Sequence, residues 1–290
     1  MEGTLLRRYG GFYYVESEGR VWTCRLRGRF RLQETVFLPG DRVEIKPVGP
    51  GEGVIEDLKP RRTCLKRPAV ANVEQVIIVF ALREPPPDLE LLDRLLFLSG
   101  VEDIEAVIVW NKADISKQEY AGLPELYRQI GYRNLITSAH TGQGIDELKA
   151  LLAGRLSTFA GPSGVGKSSL LNAIQPGLNL RTGEVSSKGG RGRHTTRQAE
   201  LIRLPDGGWV ADTPGFSRLD LPAITREEVA AYFPEMEPLR GRCRYASCLH
   251  RKEPGCAVVA AVEAGLIIKH RYEHYLTFLA EVIAGERSFS

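Results

Sequence analysis

Nine residues, GPSGVGKSS from Gly161 to Ser169, constrain this 290-residue chain more than any other feature. They fit the pattern G-x-x-x-x-G-K-[ST], follow the apolar run Leu156 to Ala160, and open a helical stretch from about Lys167 to Ile174. Such a loop works only where a strand hands over to a helix. Glycine lets main-chain N–H groups close around phosphate oxygens, and the helix N-terminus adds the positive end of its dipole. Gly161, Pro162, Ser163, Gly164, Val165, Gly166 and Ser169 are therefore assigned to a phosphate cradle. Lys167 is placed on the β- and γ-phosphates, with a share in catalysis, and the Ser168 hydroxyl on Mg²⁺.

The flanking sequence supplies the sheet that this loop requires. The run VIIVFAL (76–82) precedes a helical stretch from Leu89 to Leu98, and AVIVW (106–110) forms a second buried strand. Helix, strand and helix follow at about 117–130, 134–138 and 144–153, and a last strand is expected from Gly208 to Ala211. Strands alternating with helices over residues 67–220 predict a mostly parallel α/β sheet covered on both faces.

Three further segments sit at the carboxyl ends of those strands, where open α/β sheets bind ligands. In NKAD, Asn111 and Lys112 build the loop, and the Asp114 carboxylate can accept from guanine N1–H and the exocyclic amine. Adenine offers neither donor there, so guanine is the expected base. In the TSA segment (137–139), Ser138 and Ala139 place a main-chain N–H on guanine O6. In DTPG, Asp212 is assigned to Mg²⁺ and the Gly215 N–H to the γ-phosphate. Ordinary GTPases run phosphate loop, switch, DxxG, NKxD and SA; here NKAD and TSA come first and DTPG last. Position in space, not order along the chain, makes the pocket, so the site survives if the sheet is cut between DTPG and NKxD and the old ends are joined.

Either side of the sheet the composition changes. Residues 1–66 read as short strands between turns such as Gly10-Gly11 and Pro39-Gly40-Asp41, a small OB-like β-barrel. From Trp22 to Leu32, Arg25, Arg27, Arg29 and Arg31 alternate with Leu26, Gly28, Phe30 and Leu32, which predicts a strand with one basic face. Residues 221–290 read as mainly helical, with a short helix near 225–232 and the spacing C-x4-C-x-H-x5-C: Cys243, Cys248, His250 and Cys256. Four such donors complete a tetrahedral, structural Zn²⁺ site with no open position. Cys24 and Cys64 lack such company and are expected to be ordinary buried or half-buried thiols.

A net charge of +3 is too small to argue for nucleic acid by itself. Its distribution argues more. Basic clusters recur on the barrel, at its exit (Arg61, Arg62, Lys66, Arg67), in the biased segment 186–197 (Lys188, Arg191, Arg193) and around the Cys/His loop (Arg240, Arg242, Arg244, Arg251, Lys252), so RNA phosphates are the expected partner. Tyr13, Tyr14 and Trp22 could stack on bases, with core packing the expected role for at least two. The N-terminus has no signal-peptide h-region and no apolar run spans a bilayer, so a cytoplasmic monomer with no membrane partner is expected.

With GPSGVGKSS, NKAD, DTPG, the GRHTT segment (192–196) and the Cys/His spacing in this order, the chain closely resembles the ribosome small-subunit-dependent GTPase family (RsgA, also called YjeQ) over essentially its whole length. The resemblance implies three domains: an OB-fold barrel (1–66), a circularly permuted P-loop GTPase (67–220) and a zinc-binding helical domain (221–290). It implies a late assembly factor that binds the small (30S) subunit and its rRNA, hydrolyses GTP to GDP there and leaves. It places Thr196 on Mg²⁺ and the γ-phosphate, with Thr195 in reserve. Phe216 stands where many GTPases carry the water-orienting Gln. His194 could take over that task, or it could be an exposed loop residue or an RNA contact. An RNA-binding module that holds GTP without hydrolysing it is the competing reading.

Overall fold

The computed structural model describes residues 1–32, 35–66, 69–178, 199–211, 219–221 and 224–288. Residues 194–196, 212 and 215, to which switch, catalytic and Mg²⁺ roles are assigned above, lie outside the described residues. So do Arg67, Lys188, Arg191 and Arg193 of the expected basic clusters.

Five strands, β1 (Glu2–Tyr9), β2 (Phe12–Ser17), β3 (Arg20–Leu26), β4 (Arg42–Gly49) and β5 (Glu52–Leu58), close a barrel in the order β1-β2-β3-β5-β4. Only β3 and β5 run parallel. Alternate residues Leu5, Val15, Cys24, Val43, Ile45 and Ile55 fill the interior. Burial raises the Cys24 thiol to about 11, as expected of an inert core thiol. Tyr13 is buried and Trp22 packs against the same core, whereas Tyr14 lies under the Arg7 guanidinium, 4.7 Å from the ring centroid.

The basic strand expected from Trp22 to Leu32 is not continuous. β3 stops at Leu26, and Gly28–Leu32 forms a short helix, α1. Leu26 and Phe30 are four residues apart, a spacing that keeps them on one face at period 2 or at 3.6, so the alternation could not separate the two. Phe30 turns into the barrel, edge-on to Phe37 at 5.2 Å. The arginines consequently diverge. Arg25 lies over the Phe12 ring, Arg27 approaches Glu56 at 3.8 Å, and Arg29 pairs with Asp57 at 3.1 Å. Arg61 is also committed to the fold: it grips the buried Asp41 through Nε at 2.7 Å and Nη2 at 2.9 Å.

A hairpin of β6 (Cys64–Lys66) and β7 (Ala69–Ala71) leads from the barrel to a six-stranded sheet ordered β10-β9-β8-β11-β13-β12. Its strands are β8 (Gln75–Ala81), β9 (Glu105–Asn111), β10 (Asn134–Ile136), β11 (Leu156–Ala160), β12 (Leu201–Arg203) and β13 (Trp209–Ala211). Every pairing is parallel except β12 with β13. All seven β8 residues are buried, which is what a central parallel strand requires. Val76, Ile78 and Phe80 face the helices α2 (Leu89–Val101) and α3 (Leu123–Ile130). Ile77 and Val79 face α4 (Ile145–Leu152) and α5 (Lys167–Ile174). At about 1.5–3 kcal/mol for each large apolar side chain, this double burial is a chief reason the sheet forms. The helix expected over 117–130 is divided: a 3-10 turn at Gln118–Tyr120 precedes α3, with Gly122 at the break and Pro124 in the first turn of α3.

Beyond residue 224 the chain forms 3-10 turns at Val229–Tyr232 and Pro234–Leu239, then α6 (Ala257–Glu263) and α7 (Lys269–Ser288). The expected helix near 225–232 is thus a single tight turn. Phe233, Met236, Val258, Tyr275, Phe278 and Leu279 make its core, and Phe97 of α2 belongs to the same cluster. No helix among the described residues is long and apolar enough to cross a membrane.

Candidate nucleotide site and metal centre

Because β8, β9, β10, β11 and β13 are parallel, their carboxyl ends share one rim. β11 delivers the phosphate loop there, β9 delivers Asn111, β10 leads into Thr137, and β13 ends immediately before Asp212. Two glycines let the loop seat itself. Gly161 takes φ +124°, and a Cβ on it would lie 2.1 Å from the Val79 carbonyl oxygen. Gly166 takes φ +98°, and a Cβ there would sit 2.3 Å from the Asn111 amide nitrogen. Gly166 caps α5 without any side-chain acceptor, so the first N–H groups of that helix are left for an anion.

The NKAD, TSA and GPSGVGKSS segments meet at Asn111. Its Nδ2 donates to the Val165 carbonyl at 2.8 Å, and its Oδ1 accepts from Thr137 Oγ1 at 3.2 Å and from the Ala139 N–H at 3.3 Å. The side chain is 1% exposed, and the bonds to Val165 and Thr137 form away from competing water. Asp114 is held from the next strand: Ser138 Oγ donates to its Oδ1 at 2.6 Å. That bond, followed by main-chain and nearby positive groups, keeps the exposed Asp114 carboxyl below the usual carboxylate range. An acceptor that is ionised at neutral pH suits the two guanine donors. Lys112, at positive φ, donates to the Glu84 carbonyl. Lys167 Nζ donates to the carbonyls of Gly161 and Pro162, each at 2.7 Å, and burial lowers its pKa. Ser168 and Ser169 are half-buried in the first turn of α5.

The second centre is local. The ligand atoms of Cys243, Cys248, His250 and Cys256 all lie within 4.8 Å of one another. His250 Nδ1 is 3.4 Å from the sulfurs of Cys243 and Cys256 and 3.6 Å from that of Cys248, and the Cys243 and Cys256 sulfurs are 3.9 Å apart. A tetrahedron with metal–sulfur bonds of ~2.3 Å has edges of ~3.8 Å, so the donor set and spacing fit such an ion. Main-chain N–H groups of Ala257, His250 and Val259 point at the three sulfurs at 3.4–3.5 Å, which favours thiolates. The sequence reading missed the support beneath. Glu253 accepts from the N–H groups of Leu249, Arg251 and Lys252, and Tyr272 and Tyr275 donate to the carbonyls of His250 and Leu249. An acid isolated among basic residues, as Glu253 is, was the available signal.

Comparison with known proteins agrees with this architecture. The model of the RsgA N-terminal domain matches residues 2–55, and that of the RsgA GTPase matches residues 58–222. A small ribosomal subunit biogenesis GTPase RsgA from Carboxydothermus hydrogenoformans is 48% identical over 289 residues, covering 99% of this chain and 100% of that protein. The crystal structure of YjeQ from Thermotoga maritima superposes with a TM-score of 0.86 at 40% identity, covering 97% of this chain and 98% of that one. YloQ, described as a circularly permuted GTPase, gives 0.83 at 38% identity, covering 98% and 95%. With a barrel, a permuted nucleotide rim and near-complete coverage by these relatives, the chain belongs to the RsgA GTPase family.

Proposed function

We propose that this chain binds GTP at the sheet rim, hydrolyses it to GDP and phosphate, and acts in biogenesis of the small ribosomal subunit, with hydrolysis releasing it from that particle. The observation that carries the reading is the buried Asn111 amide, which joins the phosphate loop to the base-reading segment across the permuted order. Asp114 reads guanine N1–H and its amine, the Ala139 N–H faces O6, and residues 161–169 cradle the phosphates. Lys167, already stripped of much of its water, gives up carbonyl partners for β- and γ-phosphate oxygens.

Ser168, Thr196 and Asp212 would hold Mg²⁺, which would neutralise charge on the phosphates. Gly215 contacts the γ-phosphate, and His194 orients the attacking water in place of the Gln that Phe216 replaces. Cys243, Cys248, His250 and Cys256 hold one structural Zn²⁺. The division at residues 66 and 220, a monomeric state in the cytoplasm and binding to rRNA through the basic surfaces belong to the same proposal. Supporting the last is the exposure of Arg240, Arg242, Arg244, Arg251 and Lys252 around the Cys/His loop.

Phosphate release by the purified chain, measured alone, with small subunits and with large subunits, tests the proposal. Stimulation by small subunits alone is expected. No stimulation by any ribosomal particle would favour an RNA-binding module that merely holds GTP. In the same assay His194→Ala should lose the stimulation while still binding the subunit; full stimulation would remove His194 from the mechanism.

A further inference from the structure

A second buried constellation lies where α7 packs on α2, with Tyr127 of α3 reaching into it. Asp93 of α2 and Arg271 of α7 have side chains 0% and 1% exposed, and their ion pair measures 2.7 Å. Arg271 also reaches Glu235 through Nε at 2.7 Å, donates to the Tyr132 hydroxyl at 3.2 Å, and lies over the Phe233 ring. His274 Nδ1 is 2.5 Å from the other oxygen of Asp93. Burial of this kind costs several kcal/mol per ion before pairing, and an apolar plug would join two helices at least as firmly. What fixed ionic geometry adds is orientation.

That orientation leads towards the base-reading loop. The Tyr127 hydroxyl of α3 donates to Asp93 Oδ1 at 2.8 Å. The Tyr127 ring packs on Trp110 with centroids 5.7 Å apart. Trp110 immediately precedes Asn111, the residue that ties the TSA segment to the phosphate loop. Asp93, Tyr127, Trp110 and Asn111 are each no more than 1% exposed, so a shift at one end meets packed atoms throughout. The sequence reading passed over these residues, because an acid inside LELLDRLLFL looks like an ordinary helix polar position.

We propose that Arg271 is a positioning residue for guanine-nucleotide binding. Through Asp93 and Tyr127 it fixes Trp110, and with it Asn111 and the base-reading loop, against the phosphate loop. The C-terminal helix thereby sets how long the nucleotide stays bound. This rests on the nucleotide-site reading above.

The test uses the full-length chain and fluorescent methylanthraniloyl-GDP, whose dissociation is followed by stopped flow. Arg271→Met and Tyr127→Phe should each speed release about three- to tenfold, and the double variant should be no faster than the quicker single one, since both cut one route. Tyr127→Phe removes a single hydroxyl and keeps the ring, so it decides the matter even where Arg271→Met does not fold. A purely architectural tie would lower thermal stability and leave release unchanged. Release within twofold of the parent chain for Tyr127→Phe overturns the proposal, as do multiplicative effects in the double variant. Asp114→Asn is the control for the underlying reading: if it loosens GDP while Tyr127→Phe does not, the coupling alone fails; if it does not loosen GDP, the nucleotide site itself is misassigned.

Discussion

At the nucleotide rim, Asn111 and Val165 share a bond although 54 residues separate them, while the Cys/His centre draws all four donors from residues 243–256. The rim is assembled by the sheet. Strands buried on both faces fix where each loop emerges, and the loops need only short hydrogen bonds to meet. The Cys/His loop has no such frame: it is mostly turns and bends, resting on Tyr272 and Tyr275 of one helix. A site framed by a sheet should persist without its ligand, and a site framed by its ligand should not.

Removing the metal is the sharpest way to break that comparison. Structural zinc sites of this type contribute ~10–16 kcal/mol of apparent binding energy that is also folding energy. Chelation, or Cys248→Ala, is expected to release the loop from about 240 to 256, read as rapid amide exchange there and protease sensitivity. The sheet strands should keep their protection. Equal loss of protection in β8 and in the Cys/His loop would show that the two regions share one frame.

The same contrast governs what the sequence made legible. The rim segments GPSGVGKSS, NKAD and TSA could be located in the sequence, because each is a local pattern and buried β-runs such as VIIVFAL announce the strands between them. The Cys/His spacing was readable for the same reason. Where one pattern satisfies two periods, as at Leu26 and Phe30, alternation points to strand and the chain forms a helix instead. Long-range pairings left no local mark at all. Nothing near Arg61 foretells that its charge is spent on buried Asp41, nor does anything near Asp93 foretell Arg271, 178 residues away by the difference of their numbers.

Substitutions at the rim should act on ligand binding more than on folding. Asp114→Asn exchanges a charged acceptor for an amide that presents a donor to guanine N1–H. Charge-assisted bonds contribute ~1.5–3 kcal/mol each, so GDP affinity should fall about 100-fold or more, with selectivity shifting from guanine towards xanthine in competition assays. Unchanged guanine selectivity would discredit the base-reading assignment. Asn111→Ala is the intermediate case, because it strands the buried Val165 carbonyl and the Ala139 N–H. At ~1–3 kcal/mol for a buried unsatisfied group, a loss of about 2–3 kcal/mol in chemical denaturation is expected, together with weaker nucleotide binding. Loss of binding without loss of stability would mean that the three loops are held together by something other than this amide.

The smallest effect should come from Ser138→Ala, which removes one hydroxyl and leaves every loop in place. Its bond to Asp114 is the main reason that carboxyl titrates below its ordinary value. The sign follows from which form binds guanine. Only ionised Asp114 accepts both donors, so affinity is present above the folded pKa and is lost as pH falls through it. Without the hydroxyl that pKa rises, and the acid limb of GDP binding should move to higher pH while affinity near pH 7.5 changes only about two- to threefold. Ser138 Oγ also accepts from the Thr141 N–H at 3.1 Å, so a modest uniform weakening is expected at all pH values. Titrating GDP affinity from pH 7.5 down through the ordinary aspartate value of 3.8 for both proteins separates the two contributions. Parallel curves with the same acid midpoint would assign Ser138 to loop structure alone and leave the ionisation of Asp114 to its other neighbours.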